Sequence, residues 1–119
     1  MSAVHKTTIT KHTAIREFKL WNHILFNDEL ETVPRFLIKK DLDKGYTEGY
    51  FCEDEDSDDT CTIKINRTIA SENHKQFSII LIHEMVHMLQ WQRGLDVEHD
   101  DFFYKTCAEI KKKIKLDVQ

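Results

Sequence analysis

Phe77-Ser78-Ile79-Ile80-Leu81-Ile82-His83-Glu84-Met85-Val86-His87-Met88-Leu89 joins an apolar run to a His-Glu-x-x-His motif. The apolar half suits a buried helix, and on a helix residues i and i+4 share one face about one turn apart. His83 and His87 can therefore bring two imidazoles to one metal ion. Glu84 lies beside them, within reach of a water that such an ion activates. Two histidine ligands and a glutamate as general base form the pattern of zinc-dependent hydrolysis. A catalytic zinc takes three protein ligands and keeps a fourth position open, so the chain must supply one more.

The motif helix has to stop before the chain can return across the metal. Gly94 is the expected C′ residue, ending the helix near Arg93. At the other end Ser71 is the expected N-cap, with Glu72 in the first turn. Past Gly94, residues 96–101 bring the chain back. His99 is a candidate third ligand, placed just ahead of a last helix, and the neighbouring carboxylates Glu98, Asp100 and Asp101 compete with it. The last helix is read from Phe103, Cys107, Ile110 and Ile114, which recur at helical spacing. Its lysines, Lys111, Lys112, Lys113 and Lys115, put positive charge where the helix dipole favours it.

Towards the N-terminus, residues 1–12 read as a flexible polar segment in which His5 and His12 are solvated. Ala14, Phe18, Trp21 and Leu25 mark one face of a first helix, capped by Thr13 and running to about Asn27 or Asp28. His23 falls off that face. Pro34 opens a strand over Arg35–Lys40, and Asp43-Lys44-Gly45 signals a turn. Tyr46 to Cys52 suits a second strand, with Gly49 as a bulge or a point of close approach. Residues 53–59 are nearly all acidic. Asp54, Asp56 and Asp58 resemble the start of a calcium loop, but Asp59 stands where that loop needs glycine and Ile65 where it needs glutamate. A solvated hairpin loop is the reading. Thr60 to Asn66 alternates as a third strand, and residues 67–71 connect it to the motif helix. Helix, three strands, helix, helix make an α+β domain over residues 13–119.

At 119 residues the chain makes one domain with one modest core. Its 40% hydrophobic and 32% charged residues are ordinary for a soluble globular protein. A net charge of −4 argues against a protein that coats nucleic acid. No apolar h-region opens the chain and no run approaches bilayer length, so a cytoplasmic protein without membrane contact is expected. Cys52, Cys61 and Cys107 form no C-x-x-C pair, and free thiols are expected in a reducing compartment.

Three pieces of the chain together resemble the SprT-like zinc metallopeptidase family, from about residue 14 to 115. Trp21-Asn22-His23-Ile24-Leu25-Phe26-Asn27-Asp28-Glu29-Leu30 looks like the family's first helix with its Phe-Asn-x-x-Leu ending. Leu81-Ile82-His83-Glu84-Met85-Val86-His87 looks like its Leu-x-His-Glu-Met-x-His core. His99-Asp100-Asp101-Phe102 looks like its His-Gly-x-x-Phe segment. The resemblance implies a minimal zincin-like fold, one zinc ion on His83, His87 and His99, Glu84 as catalytic base, and hydrolysis of peptide bonds. Some family members cleave proteins crosslinked to DNA and require DNA. Two departures stand out: Asp100 replaces the family glycine, and the Cys-rich zinc ribbon of many members has no counterpart in these residues. The second, with the acidic net charge, weakens DNA dependence as an expectation. Short versions of this kind occur in bacteria and their phages, so the expected cytoplasm is the host's if a phage encodes the chain.

The expected partner is accordingly a protein or peptide substrate, lying as an added strand along the edge that the third strand, Thr60–Asn66, would offer. Tyr104, Tyr50 and His74 are weighed as oxyanion donors. Two other functions compete. A zinc-stabilised binding module would not need Glu84. A zinc ribonuclease with His-x3-His-x5-His spacing would need histidine at position 93, where Arg93 stands.

Overall fold

The helix that carries His83 and His87 is buried on nearly every side. In the computed structural model, which describes residues 9–40, 42, 47–54 and 59–119, α3 spans His74–Gln92. Between Phe77 and Gln90 only Ile79 and His83 escape full burial. That is why the run shows no single apolar stripe: a helix enclosed all round is apolar all round. Each enclosed Leu, Ile, Phe or Met side chain contributes about 1.5–3 kcal/mol through burial. Leu81, Ile82, Met85 and Met88 are all fully buried.

Around it stand α1 (Lys11–Phe26), β1 (Arg35–Lys39), β2 (Gly49–Glu53), β3 (Cys61–Asn66), α2 (Arg67–Ala70) and α4 (Asp101–Ile114). The described residues thus form an α+β domain of four helices and one three-stranded sheet. The strand order is β1-β3-β2. β3 runs parallel to β1, with Phe36 opposite Ile63, and antiparallel to β2, with Phe51 opposite Ile63.

This order corrects the expectation that Thr60–Asn66 is an exposed edge. β3 is the central strand, with Cys61, Ile63 and Ile65 fully buried. Its β-branched alternation reflects packing on both faces rather than one solvated side. The edge beside the motif helix is β2 instead. The register also separates two cysteines: Cys52 lies opposite Thr62, so Cys61, one residue along, points to the other face of the sheet. All three cysteines are free thiols.

Two helix starts differ from the sequence reading. α1 is capped by Thr10, whose hydroxyl accepts the Thr13 N–H at 3.1 Å, so Thr13 is a first-turn residue and not the cap. Ile9 is already buried. α3 is capped by Asn73, whose side chain accepts the Gln76 N–H at 2.7 Å, while Ser71 closes the short α2. Both caps are taken by the side chain three residues before the N–H it satisfies. The stop at Gly94 is as expected. Gly94 has φ +72°, its N–H bonds the Trp91 carbonyl, and the Leu95 N–H bonds the Gln90 carbonyl. Those two bonds form a Schellman ending, which favours a residue without a Cβ in the left-handed region.

The segment after α1 is pinned to the far end of α3. Buried Asn22 clamps Leu30 with both ends of its amide, donating to the carbonyl at 2.9 Å and accepting from the N–H at 3.1 Å. Gln92 bonds the Glu29 carbonyl and the Glu31 N–H, and Arg93 makes a two-pronged pair with Glu29 at 2.6 Å. At the hairpin, Asp54 N–H bonds the Thr60 carbonyl, and the Asp54 carboxylate accepts the Thr62 hydroxyl at 2.7 Å. That carboxylate is used within the hairpin. His5, the Asp43-Lys44-Gly45 turn, Tyr46 and residues 55–58 of the acidic run lie outside the described residues.

Candidate metal centre

His83 and His87 occupy one face of α3, and residues 95–100 carry His99 back over them after the Gly94 stop. The three rings offer nitrogens that all lie within 4.8 Å of one another, a group able to hold a metal ion. His87 Nε2 and His99 Nε2 are 3.1 Å apart. Two nitrogens bound tetrahedrally to zinc at ~2.0–2.1 Å sit ~3.3 Å apart. The spacing therefore fits a shared cation.

The remaining ring nitrogens of the helical pair are occupied. His83 Nδ1 donates to the backbone carbonyl of Val118 at 2.7 Å. His87 Nδ1 faces the Gln90 side-chain oxygen at 2.8 Å. Since both partners are acceptors, each Nδ1 carries the proton and each Nε2 keeps its lone pair for the centre. Burial lowers the pKa of both rings; Val118 and Gln90 oppose the shift, while neighbouring histidines add to it. Neutral imidazole is the form that binds metal. Phe103, on the first turn of α4, supports the cluster, with its ring centroid 4.8 Å from His87 and 4.6 Å from His99.

Glu84 is 5% exposed, on the side of α3 that lines a cleft. Burial pushes its carboxyl up to about 8. It shares with His83, His87 and His99 the lining of a cleft of about 710 Å³, whose other wall includes β2 from Gly49 to Glu53. A second hollow of about 320 Å³ continues past Glu84 and His83 toward Thr47 and Gln119. Gly49 lies between: a Cβ there would stand 2.7 Å from Ile80 Cγ2 and 3.0 Å from a Glu84 carboxylate oxygen. The close-approach reading of this glycine is the one the structure supports, and what approaches is the candidate base.

His83, Glu84, His87 and His99 are thus brought to one cleft. Glu98 also lines it, but the described acidic groups beside His99 do not join the three-histidine cluster. Of the three weighed oxyanion donors only Tyr50 lines the cleft. His74 instead pairs with Glu17 at 2.7 Å, and Tyr104 packs beside Phe103. Of the two off-site histidines, His23 pairs with Asp28 at 2.9 Å and His12 is exposed on α1. Sequence reasoning missed Gln90, Phe103 and the Val118 carbonyl. Phe103 carried a core signal only, and a backbone carbonyl carries none. Gln90 could have been singled out as an amide one turn past His87 in an otherwise apolar helix.

No helix among the described residues is long and apolar enough to cross a membrane. No curated protein matches the sequence significantly. The sequence profile of the SprT-like family matches residues 14–119, almost the whole chain. That match spans the clamp at Asn22, the motif helix and the His99 loop alike, and the chain belongs to the SprT-like family.

Proposed function

We propose that this protein is a zinc-dependent endopeptidase of minimal zincin-like architecture, with one ion held by His83, His87 and His99 and with Glu84 as the general base. The observation that carries the reading is Glu84. A desolvated carboxylate is costly to a fold, and this one faces the cleft beside three histidines poised to share a cation. A module that only bound zinc for stability would have no use for it. Zinc, when bound, supplies Lewis-acid chemistry, making a water acidic near neutral pH and polarising a peptide carbonyl.

The chain's own groups do the rest. Glu84 takes a proton from the attacking water as its oxygen bonds the carbonyl carbon, then delivers that proton to the amine nitrogen as the C–N bond breaks. A carboxyl whose pKa lies near neutrality suits both transfers. Gly49 leaves the space that the Glu84 carboxylate occupies. Among the described residues β2 is hydrogen-bonded on one side only, to β3. Its other edge is available to a substrate backbone as an added strand, which favours extended or unfolded protein segments. Family membership supports a metallopeptidase-like activity, and the site is a cytoplasmic enzyme's in this reading, its partner a protein substrate.

The test compares wild type with Glu84→Gln on an unfolded protein substrate, each zinc-loaded, with and without single-stranded DNA. Cleavage by wild type alone is expected, and the DNA lanes decide whether nucleic acid activates it. Full zinc occupancy in wild type without hydrolysis in any lane would replace the peptidase with a binding module.

A further inference from the structure

We propose that Gln90 is a positioning residue that holds two of the three candidate ligands at once, His87 through its ring and His99 through its loop. The inference rests on the proposed function only for its consequence for zinc; the hydrogen bonds stand on their own. Gln90 is fully buried, one helical turn beyond His87. Its Oε1 faces His87 Nδ1 at 2.8 Å. Its Nε2 donates to the Glu98 carbonyl at 2.8 Å and to Asp100 Oδ1 at 3.2 Å. His99 is the residue between those two anchors.

The orientation of the amide is forced. A backbone carbonyl and a carboxylate oxygen accept only, so the NH2 group must face Glu98 and Asp100, and the oxygen must face His87. His87 is then held with its proton on Nδ1 and its Nε2 lone pair towards the centre. His83 needs no such side chain, because the Val118 backbone holds it. Neither glutamate nor methionine, the side chains nearest in shape, does both tasks. Glutamate would keep the acceptor for His87 but set an oxygen against Glu98 and Asp100. Methionine matches the shape and offers neither function. Without the amide, His87 is free to adopt the tautomer with a proton on Nε2, which blocks that lone pair, and the loop loses its tether. Losing an outer partner of this kind weakens metal binding by about 10–100-fold.

The experiment uses the full chain in three forms: wild type, Gln90→Met and Gln90→Glu. Ring ¹⁵N NMR of the metal-free proteins reads the His87 tautomer, competition with a chromophoric chelator reads Zn²⁺ affinity, and thermal melts read stability. We expect a single Nδ1-protonated His87 in wild type and a mixture in Gln90→Met, with zinc binding about 10–100-fold weaker. Gln90→Glu keeps the tautomer and still loses affinity, through the loop. A merely structural role would lower the melting temperature and leave both tautomer and affinity unmoved, and that result overturns the proposal. If Gln90→Met does not fold, Gln90→Glu decides: weaker zinc binding with the tautomer kept supports the assignment, and unchanged affinity refutes it. A wild type that binds no Zn²⁺ sinks the peptidase reading, while the tautomer comparison still judges Gln90.

Discussion

Replacing Glu84 by glutamine should make the metal-free protein more stable, and increasingly so as pH rises. The carboxyl is 5% exposed and its pKa is pushed from 4.5 up to about 8 by burial. A raised folded-state pKa means the fold prefers the protonated form. That preference stabilises fully below about pH 4.5 and is lost as pH climbs through about 8. Each unit of pH inside that window removes ~1.4 kcal/mol. At pH 7 wild type has therefore lost about 3 kcal/mol that a neutral side chain of the same shape would retain. For a domain of this size ~1 kcal/mol moves the melting temperature by roughly 4 °C.

The expected result is a melting temperature about 10 °C higher for Glu84→Gln at pH 7, with the gap closing near pH 4.5 and widening towards pH 8.5. Thermal melts of chelator-treated protein, monitored by circular dichroism across that range, measure it directly. Every other titrating group is common to the two proteins, so the difference isolates this carboxyl. Added zinc should narrow the gap, because a cation nearby favours the anion. A gap that stays constant with pH would refute the reasoning, since it would mean that Glu84 is not desolvated in the fold.

Gly49→Ala drives a methyl group to 2.7 Å from Ile80 and 3.0 Å from the Glu84 carboxylate. It should lower kcat for peptide cleavage while leaving Zn²⁺ affinity by chelator competition near wild type, at a cost of about 1–3 kcal/mol in urea unfolding. Asn22→Leu removes both bonds to Leu30 and leaves a buried carbonyl and N–H unpaired. A loss of about 2–4 kcal/mol is expected from urea denaturation, with Zn²⁺ affinity unchanged because the clamp lies away from the histidines.

What could be read directly from the sequence was what local spacing determines. The i, i+4 pair His83 and His87 needs only a helix to converge, and Gly94 marks where that helix must end. Pairing between distant segments follows another logic. β3 alternates like an edge strand, yet it lies centrally because β1 and β2 pair on either side of it, and nothing within residues 60–66 encodes its neighbours. The same holds for the supports of the site. Val118 reaches His83 across 35 residues through a backbone carbonyl, an atom every residue possesses. Thr10 and Asn73 take the cap positions expected for Thr13 and Ser71 for a different reason: several capping side chains stand close together, and tertiary packing selects among them.

Asp100 shows how a departure from a family pattern can be absorbed. Glycine at that position suggests a need for backbone freedom, but Asp100 here has φ −104°, which any residue adopts. The turn therefore does not require glycine. Its carboxylate accepts the Phe103 N–H at 3.1 Å as the N-cap of α4, and the same oxygen accepts Gln90 Nε2. Through the first bond it orients the helix that sets Phe103 against His87 and His99. Through the second it tethers the residue next to His99 to the motif helix. A side chain that both starts a helix and ties down a loop holds His99 by contacts where a glycine would contribute none. The substitution thus couples the third candidate ligand to Gln90, and the consequences of altering either residue should not be additive.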